Sequence, residues 1–140
     1  MNQIVLKKGV LRPEEQQKIA NGFEAHSKQQ FAPKYRKERL NWVVYSQGGV
    51  LVGVVTADIL WDWMYLDELW VDSAIRNRGL GKKLIFQAEQ YARENSMKGL
   101  WLWTQSWQAP AFYTRLGFEE FTRFPDFPAG YERIGFRKLL

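Results

Sequence analysis

Between Trp63 and Trp103 the chain runs through an apolar stretch, a basic glycine-containing turn, a helical stripe and a second apolar stretch. Trp63 to Val71 reads as a strand. From Gly79 to Asn95 the apolar residues Leu80, Leu84, Ile85, Ala88, Tyr91 and Ala92 keep to one side of a helix. Lys82, Lys83, Gln90, Arg93 and Glu94 occupy the other side, where Phe86 alone breaks the pattern. Lys98-Gly99 closes this unit, and Leu100-Trp101-Leu102-Trp103 opens a second, buried strand. Two neighbouring strands joined through one helix pair in parallel with a right-handed crossover. That unit commits the chain to a sheet with helices packed against it.

The flanking segments extend the same plan. Ile4-Val5-Leu6 reads as a short first strand. Pro13 followed by Glu14-Glu15 marks a helix start, and that helix is expected to run to about Gln30 with Ile19 and Phe23 as an apolar pair. Phe31 to Leu40 is basic and aromatic, a loop or a short second helix. Asn41 to Ser46 and Val50 to Ile59 are β-rich runs around Gln47-Gly48-Gly49, the signal of a hairpin. After the central unit, Ala109 to Leu116 reads as a short helix ending at Gly117. Phe118 to Phe124 and Glu132 to Leu140 then form a terminal antiparallel pair. The expected order is β-α-β-β-β-α-β-α-β-β, an α/β (α+β) mixed sheet. With no repeat or linker in sight, residues 1–140 read as one domain.

Composition narrows the chemistry. With no cysteine there is no disulfide, thiolate metal site or cysteine nucleophile. A single histidine, His26, leaves no multi-histidine metal cluster, so no metal is expected. No run is long and apolar enough to span a bilayer, and Met1-Asn2-Gln3 lacks signal-peptide character, so a cytoplasmic protein without a membrane partner is expected. The net charge of +5 is spread along the chain among Glu and Asp, which argues against nucleic acid and for an anionic small ligand near residues 76–83. Aromatic residues make up 16%, seven of them Trp, enough for both core and the walls of a cleft.

The turn itself is Arg76-Asn77-Arg78-Gly79-Leu80-Gly81-Lys82. A strand feeding such a turn and then a helix converges backbone N–H groups and the positive end of the helix dipole on one point, with Arg76, Arg78 and Lys82 around it. This is a phosphate site. It is not a dinucleotide fingerprint, because Leu84 stands where the third glycine belongs. Nor is it a P-loop, since Arg76 replaces the first glycine and Lys83 the magnesium-binding hydroxyl.

Arg76-x-x-Gly79-x-Gly81 after Val71-Asp72 resembles the pyrophosphate loop of the GNAT superfamily of N-acetyltransferases. Ala109, Tyr113, Gly117 and Phe118 resemble that family's later Ala-x-x-x-Tyr-x-x-x-Gly-Phe signature. Further segments resemble a small bacterial subgroup: Trp63-Met64-Tyr65-Leu66-Asp67, Leu69-Trp70-Val71-Asp72, Gln108-Ala109-Pro110-x-Phe112-Tyr113 and Asp126-Phe127-Pro128-x-Gly130. The chain departs from the subgroup at Trp103, where an acidic residue is expected, and at Tyr131, where histidine is common.

The resemblance implies an acetyl-CoA-dependent N-acetyltransferase. Arg76, Asn77, Arg78, Gly79, Leu80, Gly81 and Lys82 would hold the pyrophosphate, and the backbone of Leu69, Trp70 and Val71 the pantetheine and thioester carbonyl. Tyr113 takes the general-acid position. For the base, Asp67 and Glu68 are adjacent on a strand, so alternation lets one of them face the acceptor. Asp67 is favoured and Glu68 stays open; in an apolar strand desolvation would raise either carboxylate. Acceptor contacts are expected from Phe31 to Tyr35, Trp61 to Tyr65 (with Trp63 and Tyr65) and Pro125 to Tyr131. There Asp126 pairs with a cationic acceptor or simply forms the turn, and Tyr131 completes the wall. The expected reaction is direct attack by a primary amine, small molecule or peptide, in a ternary complex. A non-catalytic acyl-CoA sensor and an aminoacyl-tRNA-acetylating toxin are the alternatives, and a homodimer is compatible with the family.

Overall fold

A computed structural model describes residues 3–140, which divide into two compact units after Tyr35. In the first, α1 spans Pro13–Gln29. Pro13 occupies the first turn, where its missing N–H costs no hydrogen bond. The Glu15 carboxylate accepts from the Arg12 amide at 2.9 Å and from Arg12 Nε at 3.0 Å, and this arginine holds the Glu15 carboxyl below its usual range. Ile4-Val5-Leu6, expected as a first strand, is irregular. A strand exists only through its ladder, and none of the described strands pairs with this segment.

The second unit holds β1 (Lys37–Tyr45), β2 (Leu51–Leu60), β3 (Trp63–Val71), a 3₁₀ turn (Ser73–Ile75), α2 (Leu80–Glu94), β4 (Gly99–Gln105), α3 (Pro110–Arg115), β5 (Glu119–Pro125) and β6 (Glu132–Leu139). The sheet order is β1-β2-β3-β4-β6-β5. As the β–helix–β unit requires, β3 and β4 are parallel; every other neighbouring pair is antiparallel. β6 returns between β4 and β5. Lys37 to Leu40, expected in a loop or short helix, belongs to β1, because these residues pair with Leu60 to Ala57 of β2.

Strand alternation sorts the sheet into two faces. Val55, Ala57 and Ile59 of β2, Met64 and Leu66 of β3, Leu100 and Leu102 of β4, and Ile134 and Phe136 of β6 are buried together. They pack beneath Leu84, Ile85, Ala88 and Ala92, the stripe of α2. Trp42 of β1 meets Tyr91 of α2 edge-on at 5.7 Å. Phe86, the residue that broke the stripe, is exposed. The opposite face carries Arg39, Thr56, Asp58, Tyr65, Trp101, Trp103 and Arg133, all at least partly exposed.

Candidate active site

β3 and β4 are paired only from Trp63↔Gly99 to Leu66↔Leu102. Beyond that point β3 continues to Val71 and β4 to Gln105, so the strands part and leave the β4-side backbone of β3 unpaired by its neighbour. The gap opens into a cleft of about 940 Å³. Asp67, Glu68, Leu69, Trp70 and Val71 line it from β3, and Trp103 and Thr104 from β4.

At one end of the cleft stands the N-terminus of α2. Gly79 caps it with φ 74°, a left-handed conformation that glycine adopts without penalty. Asn77 is left-handed as well, at φ 65°. The first helical hydrogen bond runs from Lys83 N to Gly79 O at 3.1 Å, so the amides of Leu80, Gly81 and Lys82 precede it and have no acceptor within the helix. Arg76 is drawn back against the strand, its Nε donating to Val71 O at 3.1 Å. Arg76, Asn77, Gly79, Leu80, Gly81 and Lys82 all line the cleft; Arg78 does not. Gly81 is helical, and a Cβ there would meet Phe112 at an ordinary 3.5 Å and Leu69 at 3.9 Å. Its lack of a side chain leaves open space beside the amides rather than permitting a turn.

α3 (Pro110–Arg115) brings Tyr113 to the same cleft. Pro110 starts this helix, and Gly117, with φ 89°, ends it. Gln108 fixes the preceding turn: its Oε1 accepts from Gln105 N at 2.8 Å and from Thr104 Oγ1 at 3.2 Å. Lys138 Nζ donates to Leu116 O at 2.9 Å and ties the helix end to β6. Tyr113 packs edge-on against Phe112 and Phe118, at 5.1 and 5.8 Å. Burial pushes its hydroxyl up to about 12, so at neutral pH the phenol keeps its proton.

Asp67 and Glu68 depart from strand alternation. The β2–β3 register runs Thr56↔Glu68 and then Ala57↔Leu66, so Asp67 is the extra residue of a β-bulge. The bulge brings both carboxylates to one guanidinium: Arg39 Nη1 to Asp67 Oδ2 at 2.9 Å, and Arg39 Nη2 to Glu68 Oε1 at 3.2 Å. Asp58, the cross-strand partner of Arg39, joins at 3.1 Å. Thr56 Oγ1 donates to Glu68 Oε1 at 3.2 Å and accepts from Glu68 N at 3.0 Å. The expected burial is absent, since the Asp67 and Glu68 side chains are 39% and 67% exposed, and both pair with Arg39.

Residues 11–118 match the Acetyltransferase (GNAT) family. The chain belongs to the GNAT family. It is 41% identical over 83 residues to the blasticidin-S acetyltransferase of Streptomyces morookaense, a match covering 59% of this chain and 61% of that protein. The chain thus spans about three fifths of that relative's length. Among solved structures it superposes on an acetyltransferase from Bacillus cereus with a TM-score of 0.85 and 27% identity, over 98% of both chains. A Bacillus anthracis protein in complex with acetyl coenzyme A matches with a TM-score of 0.65 and 25% identity, over 73% of this chain and 62% of that one.

For a GNAT protein the sites named from sequence fall into two groups. Tyr113, Asp67, Glu68 and the loop apart from Arg78 share the cleft; Arg78, Trp63, Tyr65, Asp126 and Tyr131 lie outside its lining. Trp63 borders a smaller hollow of about 270 Å³ with Trp101, Phe121 and Arg137. Tyr65 stacks on Trp101 at 4.4 Å. Tyr131 meets Trp107, a cleft residue, edge-on at 5.1 Å. Asp126 sits in the turn, where its Oδ1 accepts from Gly130 N at 3.4 Å. Sequence reasoning missed Arg39, Thr56, Asp58 and Arg133. The only signal for Arg39 was its opposite charge to Asp58, a cross-strand pair that becomes visible only once the hairpin register is known. Among the described residues no helix is long and apolar enough to cross a membrane, and no group of acidic or histidine side chains could hold a metal.

Proposed function

We propose that this protein is an acetyl-CoA-dependent N-acetyltransferase that modifies a primary amine by direct attack in a ternary complex. The observation carrying the reading is the parting of β3 and β4 above a helix N-terminus with three amides free of helical acceptors. The residues present fit the cofactor. The amides of Leu80, Gly81 and Lys82, with Lys82 and the guanidinium of Arg76, would receive the diphosphate, and the unpaired edge of β3 from Leu69 to Val71 would receive amide groups of an extended arm. Acetyl-CoA supplies an acetyl group activated as a thioester.

The chain's own residues supply the proton handling. An amine of pKa about 10.4 arrives protonated at neutral pH, and Asp67 or Glu68, directly or through a water, accepts that proton on the β3 side of the cleft. Tyr113 Oη keeps its proton until a departing sulfur requires it. Backbone N–H groups of β3 can donate to a developing oxyanion without reorganising. With no cysteine in the chain, no thiol nucleophile competes with direct attack.

The test is thiol release from acetyl-CoA with a panel of amines, blasticidin S among them because of the Streptomyces relative, alongside peptides and aminoacyl-tRNA. Intersecting initial-rate lines with one acetylated amine per thiol released are expected. Saturable CoA binding with no turnover on any acceptor would instead identify a sensor.

A further inference from the structure

We infer that Arg133 is an anchor for a carboxylate on the acceptor, so that the preferred substrates are amines that also carry an acid group. This rests on the acetyltransferase reading above and names the substrate class for the same site. Arg133 lies on β6 between Gln105 of β4 and Phe124 of β5, on the sheet face opposite α2. Its guanidinium carbon sits 4.7 Å from the Trp103 ring centroid and 5.7 Å from that of Phe127. Two aromatic rings therefore flank the group, and the residue is partly buried.

What it lacks is an acid. Arg123 is paired with Glu120 and Glu132, Lys138 with Glu89, and Arg39 with Asp58, Asp67 and Glu68. Among the described residues Arg133 takes part in none of the ion pairs. A planar guanidinium lying over an aromatic ring keeps its N–H edge available, and that edge matches a carboxylate through two parallel hydrogen bonds. Ordering a long cation against two rings without giving it a counter-ion is costly unless a ligand provides one.

Position relative to the cleft supplies the second half. Trp103, the ring nearest Arg133, is itself a wall of the cleft that holds Asp67, Glu68 and Tyr113. At the β1–β3 side, Asp58, Asp67 and Glu68 carry three negative charges against the one positive charge of Arg39, an excess of two. Tyr65 lies between the two poles: besides burial, Asp67 and Asp58 raise its hydroxyl and Arg133 lowers it. The face thus has an acidic pole beside the proposed base and a held, unpaired cation across Tyr65. A simple amine complements only the first pole, whereas an amine with a carboxylate complements both.

The experiment compares matched acceptors by thiol release: L-lysine with cadaverine, and L-phenylalanine with L-phenylalaninamide. The wild-type protein should favour the acid member by at least about tenfold in kcat/KM, in line with a charge-assisted hydrogen-bonded pair. Arg133→Met should collapse that ratio toward one, chiefly by raising KM for the acid, while Arg133→Lys keeps part of it. CoA affinity by calorimetry should match wild type, which separates lost anchoring from lost folding. A wild-type preference for cadaverine and the amide, or an unchanged ratio in Arg133→Met, would overturn the inference and leave the acetyltransferase reading standing. Absence of thiol release with every acceptor would remove both.

Discussion

Arg39 on β1 donates to Asp67 on β3 at 2.9 Å although β2 lies between their strands. The reach is possible because the bulge lifts Asp67 out of alternation and because Asp58 of β2 shares the same Nη1. The two residues are 28 positions apart in sequence. The hydrogen bond that Arg39 donates to Asp67 is the largest effect on its pKa, followed by the opposing cost of burial and then the hydrogen bond to Asp58, and together they raise it above its already high ordinary value. The guanidinium is a permanent positive charge.

Arg39→Ala should therefore cost activity more than stability. Arg39, Asp67 and Glu68 are at least 39% exposed and only Asp58, at 15%, is more enclosed, so loss of the contacts is expected to change unfolding free energy by about 1 kcal/mol. Released from their common partner, Asp67 and Glu68 lose a fixed orientation, and turnover should fall about tenfold or more. Arg39→Lys should recover little, because a point charge cannot fork between three carboxylates. Full turnover in the alanine variant would show that orientation of these carboxylates is irrelevant.

Tyr113→Phe should lower kcat by about 10²–10⁴-fold if the hydroxyl is the proton donor, with CoA affinity nearly unchanged. A rate equal to wild type would exclude the donor role.

The same residue makes a separate prediction about alkaline pH. Its hydroxyl lies at about 12 in the folded protein, against an ordinary value of 10.0. The unfolded chain thus releases this proton first, so stability from this group is complete below pH 10 and is lost as pH rises toward 12. Thermal melts from pH 9 to 12 should show a smaller alkaline decline for Tyr113→Phe than for wild type. Parallel declines would mean that the phenol is not buried as described.

The two glycines of the loop should separate under substitution. Gly79→Val forces a β-branched residue into φ 74°, costing about 1–2 kcal/mol and disturbing the helix start. Gly81→Val retains helical backbone, and its Cβ meets Phe112 and Leu69 only at van der Waals distance, so the melting temperature should fall less than in Gly79→Val. Both should bind CoA at least tenfold more weakly, since each affects the amides that face the cleft. Tight CoA binding by a folded Gly81→Val protein would argue against the diphosphate lying at this helix end.

Gly99→Ala probes the sheet rather than the site. A Cβ there would come within 2.5 Å of Lys138 O and 2.6 Å of the Trp63 ring. The backbone of β6 cannot yield, so a loss of about 1–3 kcal/mol is expected in chemical denaturation. An unchanged midpoint would mean that β4 and β6 are less closely apposed.

How much of this was legible beforehand differs from element to element. The stripe from Leu80 to Ala92, the bounds of β3 and the caps at Pro13 and Gly117 could be read directly, because helix and strand periodicities are local properties of the chain. The loop at 76–82 and Tyr113 could be picked out because their spacing is also local, and Tyr113 and every loop residue except Arg78 line the cleft. Ile4-Val5-Leu6 misled, since apolar content cannot form a strand without a partner to bond.

By itself, then, the sequence determined the elements from β2 onward and the parallel β3–α2–β4 unit, whose geometry follows from chain connectivity. Only the tertiary structure decided which charges meet. The bulge at Asp67, the gathering of Asp58, Asp67 and Glu68 on Arg39, and the seating of Arg133 over Trp103 all depend on register between strands distant in sequence. Register is set by the summed packing of a whole face. A shift of one residue turns every side chain to the other side, and no local pattern encodes it.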